Sequence, residues 1–202
     1  GQAGPELTGY MHRVPAAASL MLELARRDLG QLDLARIKAF VEREFPSDAK
    51  TTRPSVLSLL SPERVVLDLQ CSDWDDVVTT LVSRLTLGSG ISPSDLVRRI
   101  HERDDLSSSW IGGGFALPHA VVPELEPMAT IALLSSPLDA ATPDGAPIAW
   151  AALLTTPRAD SVHLERLSSF ARFADSNVFS ELRRARSATH VLEILRDLES
   201  TR

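Results

Sequence analysis

Cysteine is nearly absent: Cys71 stands alone among 202 residues, so neither an intramolecular disulfide nor a cysteine-based zinc site can form, which fits a reducing compartment. Long apolar runs are missing too. No stretch approaches the ~18 uninterrupted apolar residues of a membrane helix, and Gly1-Gln2-Ala3-Gly4-Pro5 lacks the basic start of a signal peptide. A cytoplasmic protein without direct membrane insertion is therefore expected. Positive charge is in deficit. Lys and Arg number 21 against 27 Asp and Glu, and the resulting net charge of -6 argues against a nucleic-acid surface.

Several catalytic signatures are also lacking. His101-Glu102 is followed by Asp105 where a zinc protease would carry its second histidine, so no metal is expected. Gly112-Gly113-Gly114 is not followed by Lys and Ser or Thr, nor spaced as Gly-x-Gly-x-x-Gly, which leaves nucleotide binding unsupported and no cofactor implied. Without a Gly-x-Ser-x-Gly elbow, Ser108 and Ser109 are not marked as hydrolase nucleophiles.

What is present reads as an ordinary globular chain, 44% hydrophobic and 24% charged, with room for one full domain of roughly 100–200 residues and an appendage. Residues 1–54 form the appendage. A helix opening at Pro15 and ending near Gly30, then a second with Leu34, Ile37, Val41 and Phe45 at helical spacing, predict a helical hairpin. Lys50-Thr51-Thr52-Arg53-Pro54 reads as a linker, so the main domain is placed at 55–202.

Within the main domain, helix and strand signals alternate. A short helix is expected at Leu57–Leu60, a strand at Val65–Leu69, a helix capped by Asp73 and carried through Leu85, and another from Ser92 to Arg103. Ala129–Leu134 and Ile148–Leu154 are apolar enough for strands buried on both faces, with Pro143-Asp144-Gly145 turning between them. Two helices, near 161–175 and 187–199, close the chain. The expected fold is α/β, a mixed β-sheet flanked by helices.

His119 is the leading functional candidate. A flexible glycine turn and a short apolar strand, Gly112-Gly113-Gly114-Phe115-Ala116-Leu117-Pro118-His119, deliver an imidazole to a surface. With an unperturbed pKa of ~6.5, such a ring can serve as base, ligand or nucleophile. A histidine behind an apolar strand is by itself more often a buried, hydrogen-bonded core residue. The surrounding pattern reverses that preference.

From about Val56 to Arg202 the chain resembles the enzyme IIA domain, type 2 (fructose/mannitol class, including nitrogen-regulatory forms), of the phosphoenolpyruvate-dependent sugar phosphotransferase system. The residues that carry the likeness are Leu57-Ser58-Leu59-Leu60, Arg103-Asp104, Ser108-Ser109-Trp110-Ile111-Gly112 and Gly114 through His119. Asp144-Gly145-x-Pro147-Ile148, His163-Leu164-x-x-Leu167 and the ordered residues from Leu182 to Leu195 complete it.

The resemblance implies that His119 accepts a phosphoryl group from HPr or an HPr-like phosphocarrier. It would then pass the group to a IIB component or hold it as a signal to a regulatory target. Arg103 and His163 match the family's active-site arginine and second histidine. Ser108, Ser109 and the amides of Gly112, Gly113 and Gly114 would bind the phosphoryl oxygens, since a nest of N–H groups is an anion site. For Arg103 the plain alternative is a solvated helix-end charge beside Glu102 or Asp105. For His163 it is a first-turn helix residue with no catalytic part.

The chain departs from the family pattern at Ser109-Trp110, Asp104 and Val121, where Thr-Gly, Glu and a basic residue are usual. Two other outcomes therefore stand beside the phosphocarrier: a phosphorylation-impaired regulatory binding module, and a cytoplasmic sensory domain cut from a larger membrane transporter.

Overall fold

The protein's structure, a computed structural model, describes residues 55–201 apart from Ser89, Ser107, Ala141, Pro143 and Asp175. The expected hairpin and linker of residues 1–54 lie outside them. Residues 55–159 and 169–202 form one compact unit, while Asp160–Ser168 belongs to another.

The described chain begins on a staple. Ser55 caps a 3₁₀ turn over Val56–Leu59 by accepting from the Leu57 N–H, and its hydroxyl donates to Glu199 at 2.6 Å. The Val56 N–H donates to the other oxygen of the same carboxylate at 3.0 Å. The short helix expected at Leu57–Leu60 is this 3₁₀ turn. Pro62, which opens a second 3₁₀ turn over Pro62–Arg64, disfavours helical geometry at Ser61, and Leu60 and Ser61 are extended.

Strand β1 (Val65–Leu69) follows as expected. Helix α1 (Trp74–Ser83) is capped by Asp73, whose carboxylate accepts from the Asp76 N–H, while Asp76 accepts from the Ser72 N–H at 2.8 Å. That reciprocal pair is a capping box in outline. Helix α2 (Pro93–Leu106) starts the same way: Ser92 accepts from the Asp95 N–H and donates to the Asp95 carboxylate. It runs one turn beyond the expected end at Arg103.

The sheet order is β1, β5 (Met128–Leu138), β6 (Ile148–Thr156), β3 (Phe115–Ala116) and β2 (Trp110–Gly112), with β4 (His119–Val121) also on β6. Strand β6 is buried along its whole length; it runs antiparallel to β5 and parallel to β3 and β4. The two expected core strands are there, each longer than its apolar stretch suggests, and the sheet is mixed as expected.

β3 and β4 are two parts of one path. The register along β6 runs without slip from Phe115↔Trp150 through His119↔Leu154 to Val121↔Thr156. Between them the Leu154 N–H still donates to the Pro118 carbonyl at 3.0 Å. Proline has no N–H, so the strand keeps its inner ladder and loses a donor at one position. Side chains alternate along the path. Ala116, Ala120 and Val122 join the core built with Val77, Val78, Leu81 and Val82 of α1 and Leu96 and Ile100 of α2. Phe115, Leu117 and His119 therefore face the other side, where Phe115 stacks on Trp150 at 3.9 Å.

Three helices, rather than two, close the chain: α3 (Ser161–Ala171), α4 (Ser176–Leu182) and α5 (Ala188–Thr201). The Phe173 and Ala174 N–H groups bond back to the Phe170 and Ala171 carbonyls, tightening the end of α3 and closing it at Ala171, short of the expected end near 175. α5 packs on β1 and both 3₁₀ turns.

Candidate functional site

Three consecutive glycines shape the approach to His119, with φ of 115°, 60° and 75° at Gly112, Gly113 and Gly114. Gly114 shows why no side chain fits. A Cβ there would sit 3.1 Å from the Pro147 carbonyl oxygen and 3.3 Å from the Ala149 Cβ. The bare backbone instead comes close enough for its carbonyl to accept from Ala149 at 2.8 Å and Trp150 at 3.2 Å.

The turn is latched from the β5–β6 loop. Asp144 accepts from the Gly113 N–H at 2.7 Å and the Ala146 N–H at 3.2 Å, within a turn closed by Gly145 N–H to Thr142 carbonyl. Burial alone would raise the Asp144 carboxyl; the Gly113 and Ala146 N–H groups outweigh it and hold the group below its ordinary value. Pro143-Asp144-Gly145 was legible as a turn, but its carboxylate's hold on Gly113, 31 residues away, was not.

His119 opens β4, half-buried, with Nδ1 3.0 Å from the Leu117 carbonyl oxygen. A carbonyl can only accept, so Nδ1 is the donor in this hydrogen bond, and in the neutral ring the lone pair then falls to Nε2. The outward edge of this step is held at 2.7 Å by the Leu117 N–H donating to the Ser109 carbonyl.

Ser109 is itself anchored. Its side chain is buried and donates to Asp104 Oδ1, while Trp74 Nε1 donates to Oδ2 of the same carboxylate at 3.2 Å. Burial pushes the Asp104 carboxyl above its ordinary value, against the lowering effect of those two donors. Ser108 differs: its exposed hydroxyl oxygen accepts from the Trp110 N–H at 3.1 Å.

Arg103 is half-buried in the last turn of α2. Two residues earlier, His101 Nε2 meets Asp75 Oδ1 at 2.6 Å and ties α2 to α1, consistent with a packing role. His163 lies in the unit Asp160–Ser168, buried in the first turn of α3, and its N–H donates to Asp160 Oδ1 at 3.0 Å. Asp160 is thus the N-cap of that helix.

The structure brings Ser109 to Asp104, Gly113 to Asp144, and the His119 ring to the Leu117 carbonyl. Among the described residues no group of three His, Cys, Asp or Glu could hold a metal ion, and no helix is long and apolar enough to cross a membrane.

The profile of the phosphoenolpyruvate-dependent sugar phosphotransferase system EIIA 2 family matches residues 58–198. This chain belongs to that family. A nitrogen regulatory protein of Bradyrhizobium diazoefficiens is 27% identical over 143 residues, which cover 69% of this chain and 94% of the relative. Nitrogen regulatory protein IIA-Ntr from Neisseria meningitidis superposes with a TM-score of 0.64 at 26% identity, covering 69% of this chain and 98% of that one.

IIA mannitol from Escherichia coli superposes at 0.56, with 17% identity over 67% of this chain and 98% of its own, and shares the fold. The domain has the mixed sheet and flanking helices of these structures, and the two relatives named for nitrogen regulation share 26–27% of its residues.

Proposed function

We propose that His119 Nε2 accepts a phosphoryl group from the phosphohistidine of HPr or an HPr-like carrier, and that the phosphorylated state serves chiefly as a regulatory signal. The observation that carries this reading is the bond from Nδ1 to the Leu117 carbonyl, which in the neutral ring leaves the lone pair on Nε2. In the transfer, that lone pair forms a bond to phosphorus as the bond from phosphorus to the donor imidazole breaks. The donor ring leaves with the electron pair. The Nδ1 proton stays on His119, where the Leu117 carbonyl stabilises the positive charge the ring acquires.

Such a transfer depends on in-line approach and on support for charge spread over three oxygens. Arg103 would offer a planar cationic fork and His163 a hydrogen bond. Ser108 is better suited than Ser109 to touch the phosphoryl group, because the Ser109 hydroxyl proton is already given to Asp104. Gly113 reaches the phosphoryl oxygens only if Asp144 yields; otherwise Gly112 and Gly114 supply the amide support. Val121, 37% exposed and on the His119 side of the strand, would give the carrier an apolar contact where a basic residue is usual.

The regulatory emphasis follows from the relatives: those named for nitrogen regulation are 26–27% identical, against 17% for the mannitol protein. The complex of IIA mannitol with phosphorylated IIB mannitol, whose IIA chain shares this fold at a TM-score of 0.56, shows that the fold can present itself to a IIB partner. A IIB component or regulatory target is the corresponding acceptor here. The setting is cytoplasmic, where carriers of this type work.

Incubation with phosphoenolpyruvate, enzyme I and HPr, followed by peptide mass spectrometry, tests the reading. One acid-labile phosphoryl group on His119, absent from His119→Ala, is the expected result. An unmodified wild-type protein beside an active carrier would leave the binding-module alternative in its place.

A further inference from the structure

We infer that Asp104 is a positioning residue for His119: through Ser109 and Leu117 it sets which ring nitrogen of the imidazole carries the lone pair and where that lone pair points. The path is continuous. Asp104 accepts from the Ser109 hydroxyl and from Trp74 Nε1, Ser109 accepts from the Leu117 N–H through its carbonyl, and Leu117 accepts from His119 Nδ1 through its own.

Two features give the path its importance. Pro118 contributes no N–H, so on its outer side the Leu117-Pro118 step is held by the Ser109 carbonyl, while the inner side is held by β6. Ser109 in turn sits on a chain segment between α2 and β2, and its buried hydroxyl fastens that segment to the end of α2. Converging donors suit a carboxylate, which accepts at both oxygens. The link is mechanical: Asp104 fixes Ser109, Ser109 fixes Leu117, and the Leu117 carbonyl selects the tautomer.

The consequence for catalysis rests on the phosphocarrier reading above, but the tautomer itself does not. The test is ¹⁵N NMR of the histidine ring nitrogens in the unphosphorylated protein, together with the rate of phosphoryl transfer from phospho-HPr. In wild type, His119 Nδ1 should resonate as a protonated nitrogen and Nε2 as a lone-pair nitrogen. In Asp104→Ala and in Ser109→Ala the two signals should move toward each other as tautomers mix.

Transfer to His119 should slow by roughly tenfold to a hundredfold in both variants, with KM for phospho-HPr unchanged. Ser109→Thr keeps the hydroxyl and should restore both properties. If Asp104→Ala does not fold, Ser109→Ala breaks the same link from its other end. Wild-type ring signals in either folded variant would overturn the inference, as would mixed tautomers in wild type. A wild-type protein that shows the Nδ1–H tautomer and its loss in the variants, yet takes no phosphoryl group, would refute the phosphocarrier reading and leave the positioning role standing.

Discussion

At the scale of single residues, the site depends on polar groups whose partners are distant in sequence. Asp144 and Gly113 are one such pair, and their hydrogen bond gives a definite pH dependence. Because the folded Asp144 carboxyl is held below the ordinary aspartate value of 3.8, its stabilising effect is present above that value. It is lost as pH falls through the lower, folded value. Protection of the Gly113 amide against hydrogen exchange should therefore drop on acidification below that range, and Asp144→Asn should flatten the dependence. Unchanged protection in acid would show that the glycine turn holds itself.

Gly114 makes a second prediction. Gly114→Ala combines a φ of 75° with a Cβ 3.1 Å from the Pro147 carbonyl oxygen, and should cost about 1–3 kcal/mol in urea unfolding. His119 and the glycine run announced themselves in the sequence, because the pattern is contiguous. Asp104 and Asp144 could not be read as anchors, since nothing local tells an acid that caps a neighbouring turn from one that bonds across the fold.

Among the elements, long apolar or well-capped segments were legible and short ones were not. β1 is legible because Val65-Val66-Leu67-Asp68-Leu69 is a compact, mostly apolar run opened by two β-branched residues, and α1 because Asp73 and Asp76 mark its start. β2 and β4 have three residues each, too few to show a period, and exist because β3 and β6 offer them ladders. α4, with seven residues, lies between the two expected helices, in a stretch too short to show a helical period.

The pairing of Phe115 with Trp150 carries the strongest element-scale prediction. Phe115→Ala empties a fully buried stacked contact where β3 joins β6, and should cost about 3–5 kcal/mol. Its transition midpoint in urea should fall accordingly. A loss below 1 kcal/mol would mean that the glycine turn, rather than this contact, holds β3 on the sheet.

For the whole molecule, the division at residue 54 is a proposal with support from outside the chain. The Bradyrhizobium relative is matched over 94% of its length by 69% of this chain, so the EIIA region amounts to nearly a complete protein there. Residues 55–202 expressed alone should unfold in one cooperative transition and take the phosphoryl group at a rate within about twofold of the full chain. A truncated protein that folds yet loses phosphorylation would assign the extension a part in the transfer.

The most direct test of the phosphocarrier reading identifies the atom that is modified. Phosphorylated protein with ¹⁵N-labelled histidine, observed by correlated ³¹P and ¹⁵N NMR, should show phosphorus bonded to Nε2 of His119, with the proton still on Nδ1. Phosphorus on Nδ1, on another residue, or on none after exposure to phospho-HPr would contradict it.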